Sequence, residues 1–224
     1  MTNLKSGGIG EEIEAFLFDL DGTLVDTELL YMEATDRALR DTGCSISGER
    51  LLEISYGRAQ RDIVMSLRQL FPERNLGDLE SGIRYHHAVL KRGTDTRITS
   101  SIRLLKRLAV RYPVGIVSGS PRHAVEENIA LLDLADCIAF YLSTEDYHPG
   151  KPDPACYLLA SEKLGLSPPH CLVFEDSEAG VKAAKAAGMV CVALKRPGTP
   201  DQDLASSDLV LDDLADFPVN LWLA

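Results

Sequence analysis

The chain has 224 residues, is 45% hydrophobic and carries a formal net charge of -11 at pH 7. That is enough apolar material for one large domain or a core with an insert, while the acidic surplus argues against nucleic acid or an anionic membrane surface, which are met by excess Lys and Arg. The five cysteines (Cys44, Cys137, Cys156, Cys171 and Cys191) are scattered and form no Cys-x-x-Cys pair, which argues against a disulfide framework or a zinc site and suits a reducing compartment.

Residues 1–14 show no apolar segment behind positive charge, and no apolar run approaches the roughly 20 residues of a membrane span, so a cytoplasmic protein is expected. The first strand is read at Ala15 to Asp19, inside the string Phe16-Leu17-Phe18-Asp19-Leu20-Asp21-Gly22-Thr23. Side chains alternate along a strand, so Asp19 and Asp21 start on the same side and can address one bound group, and Gly22 lets the backbone turn. Two carboxylates so close to an anion call for a divalent cation that neutralises them and bridges to phosphate oxygens, which points to Mg²⁺. With that cation, one aspartate can attack phosphorus while its neighbour moves a proton to or from the leaving oxygen. A calcium loop of the Asp-x-Asp-x-Asp-Gly kind does not fit, because its glycine belongs at the sixth position and here stands at the fourth.

From about Asp26 to Lys91 the pattern is helical without a convincing buried strand: Ile63, Val64, Leu67 and Leu70 share helical spacing, as do Leu79, Ile83 and Leu90 less strictly. Pro72, Gly77 and Gly93 mark breaks. The stretch reads as an all-helical insert capping the crevice of a sheet. His86 and His87 lack a matching ligand set nearby and are expected on a solvated or packed helix face. Tyr31, Tyr56, Arg58, Gln60 and Arg61 are the insert residues best suited to address a substrate, Arg58 as a phosphate-binding candidate.

Short apolar runs then alternate with helix-like stretches, the pattern of a parallel sheet covered on both faces. Val114 to Val117 leads into Ser118-Gly119-Ser120-Pro121, where Ser120 is expected to cap a helix with Pro121 at its first position. That leaves the Ser118 hydroxyl for a phosphate or for a structural role. A strand at Ile138 to Leu142 precedes Gly150-Lys151-Pro152-Asp153-Pro154, which sets one lysine in a conformationally restricted loop. An ammonium there would offset charge on a nucleophile and a transferring phosphoryl group. Leu172 to Phe174 runs into Glu175-Asp176-Ser177, two acids read as metal ligands at a strand's end, with Ser177 a candidate cap for a following helix that ends at Gly188. Val190 to Leu194 and Leu209 to Leu211 complete the sheet. Ligands of open α/β sheets sit beyond the carboxyl ends of the strands, so the clusters at Asp19, Ser118 and Glu175 should meet.

These residues, in this order, resemble the haloacid dehalogenase-like superfamily of phosphotransferases. The resemblance rests on Asp19-x-Asp21-Gly-Thr-Leu-Val-Asp-Thr-Glu28, Ser118, Lys151 and Glu175-Asp176 and covers nearly the whole chain. It implies an α/β, Rossmann-like core at 1–25 and 92–224 with a small all-helical cap at 26–91. It also implies roles: Asp19 as the nucleophile that forms an aspartyl-phosphate, Asp21 as general acid and then base, and Ser118 and Lys151 as partners of phosphate and nucleophile. Thr23 would help bind the phosphoryl group. Mg²⁺ would be held by Asp19, the Asp21 carbonyl and Asp176, with Glu175 in or near its shell. The expected activity is a Mg²⁺-dependent phosphatase acting on a small phosphorylated metabolite, such as a sugar phosphate, as a monomer or dimer. The alternatives are a β-phosphoglucomutase-like phosphotransferase and a non-catalytic binding protein on the same fold. Tyr31 and Tyr56 stand where the mutase pattern carries histidine and lysine, and no catalytic element needed by a phosphatase is missing.

Overall fold

The computed structural model describes residues 12–55, 60–197, 199 and 201–222. The chain forms two compact units, one from the residues up to Val25 and from Arg97 onward, the other from Asp26–Thr96.

The first unit holds a six-stranded, all-parallel sheet of β1 (Ala15–Phe18), β2 (Val114–Val117), β3 (Phe140–Leu142), β4 (Cys171–Glu175), β5 (Val190–Leu194) and β6 (Leu209–Leu211), in the order β3-β2-β1-β4-β5-β6. The order reverses at β1, and the crevice beyond the strand ends at such a switch point is where open α/β sheets take their ligands. Strands β1, β2 and β4 are buried along their whole length, because helices cover both faces. Alternate residues feed two separate cores. Phe16, Phe18, Ile116, Leu172 and Phe174 pack with Leu104, Leu105 and Leu108 of α5 (Thr99–Ala109) and Val125 and Ile129 of α6 (Arg122–Leu131). Ala15, Leu17, Cys171, Val173 and Cys191 pack with Cys156, Tyr157 and Ala160 of α7 (Ala155–Leu164) and Val181, Ala183 and Ala184 of α8 (Glu178–Ala186). The final helix, α9 (Val219–Trp222), returns Trp222 to the first of these cores.

The second unit is helical: α1 (Glu28–Asp41), α2 (Gly48–Ser55), α3 (Gln60–Leu70) and α4 (Leu79–Lys91). Ile63, Val64, Leu67, Leu79 and Ile83 are buried in its own core, as their spacing requires, whereas Leu70 at the end of α3 is exposed. The breaks are physical: α3 stops ahead of Pro72, Gly77 takes a left-handed φ of +56° before α4, and the Asp78 side chain accepts the Ser81 N–H at 3.0 Å as its cap. His86 meets Asp41 at 2.6 Å and the His87 ring stacks on Tyr31 with centroids 4.1 Å apart, a packed helix face. Tyr56, Gly57 and Arg58 lie outside the described residues. The chain re-enters the sheet unit at Arg97, later than the expected return at residue 92. The register there is set by a Val25–Arg97 bridge and by Ile98 N–H donating to the Leu24 carbonyl at 3.0 Å.

Candidate active site

The parallel register aligns the ends of three strands. Phe18 pairs with Ile116 on one side and with Phe174 on the other. The next residues, Asp19 just past β1 and Glu175 as the last residue of β4, therefore stand side by side at the end of the sheet, and Asp19 N–H extends the ladder to the Phe174 carbonyl at 2.9 Å. By alternation both continue the face of Leu17 and Val173, the face that α7 covers. Lys151 enters from the loop just ahead of α7. Its Nζ donates to Asp19 Oδ1 at 2.6 Å, to Glu175 Oε1 at 2.6 Å and to the Val117 carbonyl at 3.1 Å, which uses all three ammonium protons.

Glu175 is the most enclosed member, with no exposed surface, against 7% for both Asp19 and Asp176. Its Oε1 accepts from Lys151 and, at 2.8 Å, from the buried Tyr157 hydroxyl. Its Oε2 accepts from Asp176 N–H at 3.1 Å, Ser177 N–H at 3.3 Å and Ser177 Oγ at 3.1 Å. A carboxylate so fully bonded can stay charged out of water. Space for it is made by Gly180 on α8, where a Cβ would fall 1.8 Å from Glu175 Oε1. Gly22 makes the matching space for Asp176: its φ of +88° is a left-handed turn, and a Cβ there would fall 2.0 Å from Asp176 Oδ2.

Burial holds the Asp19 carboxyl well above the ordinary carboxylate range, Glu175 and Asp21 push the same way, and Lys151 opposes them. Burial pulls the Lys151 ammonium down, but Asp19 and Glu175 more than reverse it, so the lysine stays charged with a pKa well above the usual value. Burial, and after it Glu175, push the Tyr157 phenol well up, so it remains a donor.

Asp21 faces a different set of partners. Its Oδ2 accepts from Ser118 Oγ at 3.2 Å and from Ser120 Oγ at 2.7 Å, while Ser118 Oγ accepts Ser120 N–H at 2.9 Å. This corrects the expectation for Ser120. The N-cap of α6 is Pro121, with no side-chain bond of its own, and the first helical N–H, that of Arg122, is met by the Glu145 carboxylate at 3.0 and 3.2 Å. A distant glutamate does the capping, and the Ser120 hydroxyl is turned to the acid. Ser177 does cap its helix, accepting Gly180 N–H at 3.0 Å.

Thr23 is fully buried, and its hydroxyl has no partner among the described residues, an orphaned polar group beside the acidic turn. Asp19, Glu175 and Asp176 each offer a carboxylate oxygen within 4.8 Å of the others. An all-oxygen set carrying more negative charge than Lys151 balances fits a hard divalent cation such as Mg²⁺. Sequence reading brought Asp19, Asp21, Ser118, Lys151, Glu175 and Asp176 to this strand end. It missed Tyr157, Ser120, Gly180 and Tyr147, whose hydroxyl donates to the Ser118 carbonyl at 2.9 Å. Among these, the only local signal was the placement of Ser120, two residues beyond a strand that ends in the crevice.

Residues 13–188 match the haloacid dehalogenase-like hydrolase family. The chain is similar to validoxylamine A 7'-phosphate phosphatase of Streptomyces hygroscopicus subsp. limoneus, at 31% identity over 89% of this chain and 93% of that protein. It is similar as well to hexitol phosphatase A of Escherichia coli K12, at 32% identity over 92% of this chain and 94% of that one. Among solved structures, a hydrolase of the same family from Deinococcus radiodurans R1, with bound phosphate and sodium, superposes with a TM-score of 0.75 at 26% identity, covering 93% of this chain and 95% of that one.

Proposed function

The chain belongs to the haloacid dehalogenase-like hydrolases, and from that premise we propose that it is a Mg²⁺-dependent phosphatase of a small sugar or polyol phosphate, working through a phosphorylated Asp19. The observation that carries this reading is the Lys151 ammonium 2.6 Å from Asp19 Oδ1, a charged partner fixed on a buried carboxylate at the switch point of the sheet. The names of the relatives, phosphatases of a validoxylamine phosphate and of hexitol phosphates, support the substrate class. The helical unit, 26–96, is proposed to serve as the cap.

Asp19, Asp176 and the Asp21 carbonyl would hold the Mg²⁺, with Glu175 beside them anchoring Lys151. When bound, Mg²⁺ supplies positive charge against the phosphoryl oxygens and the carboxylates. In the first half-reaction an Asp19 oxygen forms a bond to phosphorus and the bond to the leaving oxygen breaks. The Asp21 carboxylic acid gives that oxygen its proton, releasing an alcohol. In the second, water adds its oxygen to phosphorus and its proton to the Asp21 carboxylate. The bond to Asp19 then breaks and phosphate is released. Ser118 and Thr23 would donate hydroxyls to the phosphoryl group, and Lys151 would stabilise charge on Asp19 throughout.

The test is phosphate release from a panel of hexitol phosphates, fructose 1-phosphate, phosphoglycolate and nucleotides. Turnover of a sugar or polyol phosphate should stop on chelation and return with Mg²⁺. Asp19→Asn should lower kcat by at least about 10³-fold, since an amide cannot replace the carboxylate as the group that is phosphorylated, while the melting temperature is kept. Full turnover by Asp19→Asn would sink the mechanism, and interconversion of β-glucose 1-phosphate and glucose 6-phosphate, primed with the bisphosphate, would replace hydrolysis with a mutase reaction.

A further inference from the structure

We infer that Tyr147 is a positioning residue for phosphate binding: its hydroxyl holds the Ser118 peptide and so sets the point from which the Ser118 hydroxyl reaches a phosphoryl oxygen. The inference rests on the proposed role of Ser118 and adds to it the group that holds its backbone.

Ser118 is the first residue after β2 and has no exposed surface. Both of its backbone groups are met from the β3 side of the sheet. The N–H donates to the Leu142 carbonyl at 3.0 Å, prolonging the ladder between β2 and β3, and the carbonyl accepts the Tyr147 hydroxyl at 2.9 Å. A buried carbonyl left without a donor is costly, so loss of that hydroxyl favours a tilt of the peptide toward another partner. The Cα–Cβ bond that aims the Ser118 hydroxyl tilts with it.

Tyr147 acts from a fixed base. The loop between β3 and α7 meets the end of β2 along its length: Thr144 N–H donates to the Ser120 carbonyl at 3.1 Å, Tyr147 to that of Ser118, and Lys151 Nζ to that of Val117 at 3.1 Å. Asp146, the preceding residue, ties the loop down. Its Oδ2 accepts the Ser143 N–H at 2.8 Å and the Ser143 hydroxyl at 2.6 Å, and its Oδ1 accepts from the Arg122 guanidinium at 2.7 Å. The Tyr147 ring packs against the core that Leu142, Cys156 and Tyr157 share. Two consecutive carbonyls, of Val117 and Ser118, thus take donors from one loop, and the lysine among those donors also holds Asp19.

The Ser118 hydroxyl has to change partners. It donates to Asp21 Oδ2 at 3.2 Å and would donate to a phosphoryl oxygen in the complex, a change made by rotation about one side-chain bond. Rotation about a fixed Cα sweeps a fixed arc, whereas a tilted peptide moves the arc. Hydrogen bonds weaken steeply as their geometry departs from linear, so the tilt is felt as lost affinity for phosphate.

The experiment titrates the enzyme with inorganic phosphate in the presence of Mg²⁺ and reads the dissociation constant by calorimetry. Tyr147→Phe keeps the ring, removes the donor and should raise Kd about fivefold, the worth of one hydrogen bond. KM for the best sugar phosphate of the panel should rise by a similar factor, more than kcat falls. The decisive arm repeats the exchange in Ser118→Ala, which has no hydroxyl left to aim; there Tyr147→Phe should change Kd by less than about twofold. Tyr147→Leu is the second variant lacking the hydroxyl, and melting temperatures verify the fold. An equal rise in Kd in both backgrounds gives Tyr147 a role apart from Ser118 and overturns the proposal. If Ser118→Ala weakens phosphate binding and Tyr147→Phe alone does not, the role of Ser118 stands and that of Tyr147 falls. If Ser118→Ala leaves Kd unchanged, or the unsubstituted enzyme binds no phosphate, the Ser118 reading fails and Tyr147 loses its role with it.

Discussion

The sheet unit and the helical unit treat charge in opposite ways. Among the described residues, the most deeply buried carboxylates, Asp19, Glu175 and Asp176, all lie in the sheet unit, whereas the buried polar groups of 26–96 are neutral: Thr27, Thr35, Ser55 and Thr96. The ion pairs of the helical unit, such as Arg40–Asp36 at 2.7 Å and Arg50–Glu53 at 2.5 Å, sit on the surface, where water screens them and their worth is small. A buried carboxylate is costly unless it is bonded, and the sheet unit meets that cost at Glu175 with contacts from Lys151, Tyr157, Asp176 and Ser177. The difference teaches that one unit keeps its interior for packing, while the other uses part of its interior for electrostatic machinery.

Three substitutions sharpen or break this contrast. The largest change in stability is expected inside the helical unit, where only packing is at stake. Leu67→Ala removes a fully buried side chain from its core and should cost about 2–5 kcal/mol in chemical denaturation, with amide protection lost in α1, α3 and α4. A loss below about 1 kcal/mol would show that this core is not close-packed. Next comes Gly180→Ala in α8. Alanine favours a helix over glycine, yet here its methyl would fall on a carboxylate that cannot retreat from its partners. We expect a loss of about 1–3 kcal/mol and a clear fall in kcat as Glu175 releases Lys151. A stabilised, fully active Gly180→Ala would mean that Glu175 is free to move. The smallest effect belongs to the same exchange in the other unit. At Gly82→Ala on α4 the new Cβ meets the Ala38 methyl at 3.2 Å, so slight crowding works against the gain in helix propensity, and the net change should stay within about 1 kcal/mol of zero.

Much of the sheet could be read from local pattern. Val114–Val117, Val190–Leu194 and Leu209–Leu211 have the expected bounds, because a short apolar run between breaks leaves a buried strand few alternatives. The strand before Leu142 is shorter than expected, starting at Phe140, and the strand before Asp176 takes in Glu175, since an acid with five donors around it can belong to a sheet. In the site, acids at strand exits were legible because polarity there has no structural use. Ser120 was misread as a cap because Ser-Pro before a helix is locally indistinguishable from one, and Glu145, which meets the helix end instead, lies 23 residues away.

The sequence by itself determined which side chains could carry charge at the ends of strands and where the helical insert begins. Those features follow from alternation, helical period and turn chemistry, all of which act over a few residues. Only the tertiary structure decided the pairings: Lys151 with Asp19 across 132 positions, Ser120 with Asp21 across 99, and Tyr157 with Glu175 through the face that α7 covers. Hydrogen bonds are short-ranged and directional, so a donor and an acceptor far apart in the chain become partners only when parallel register and helix packing set them within 3 Å.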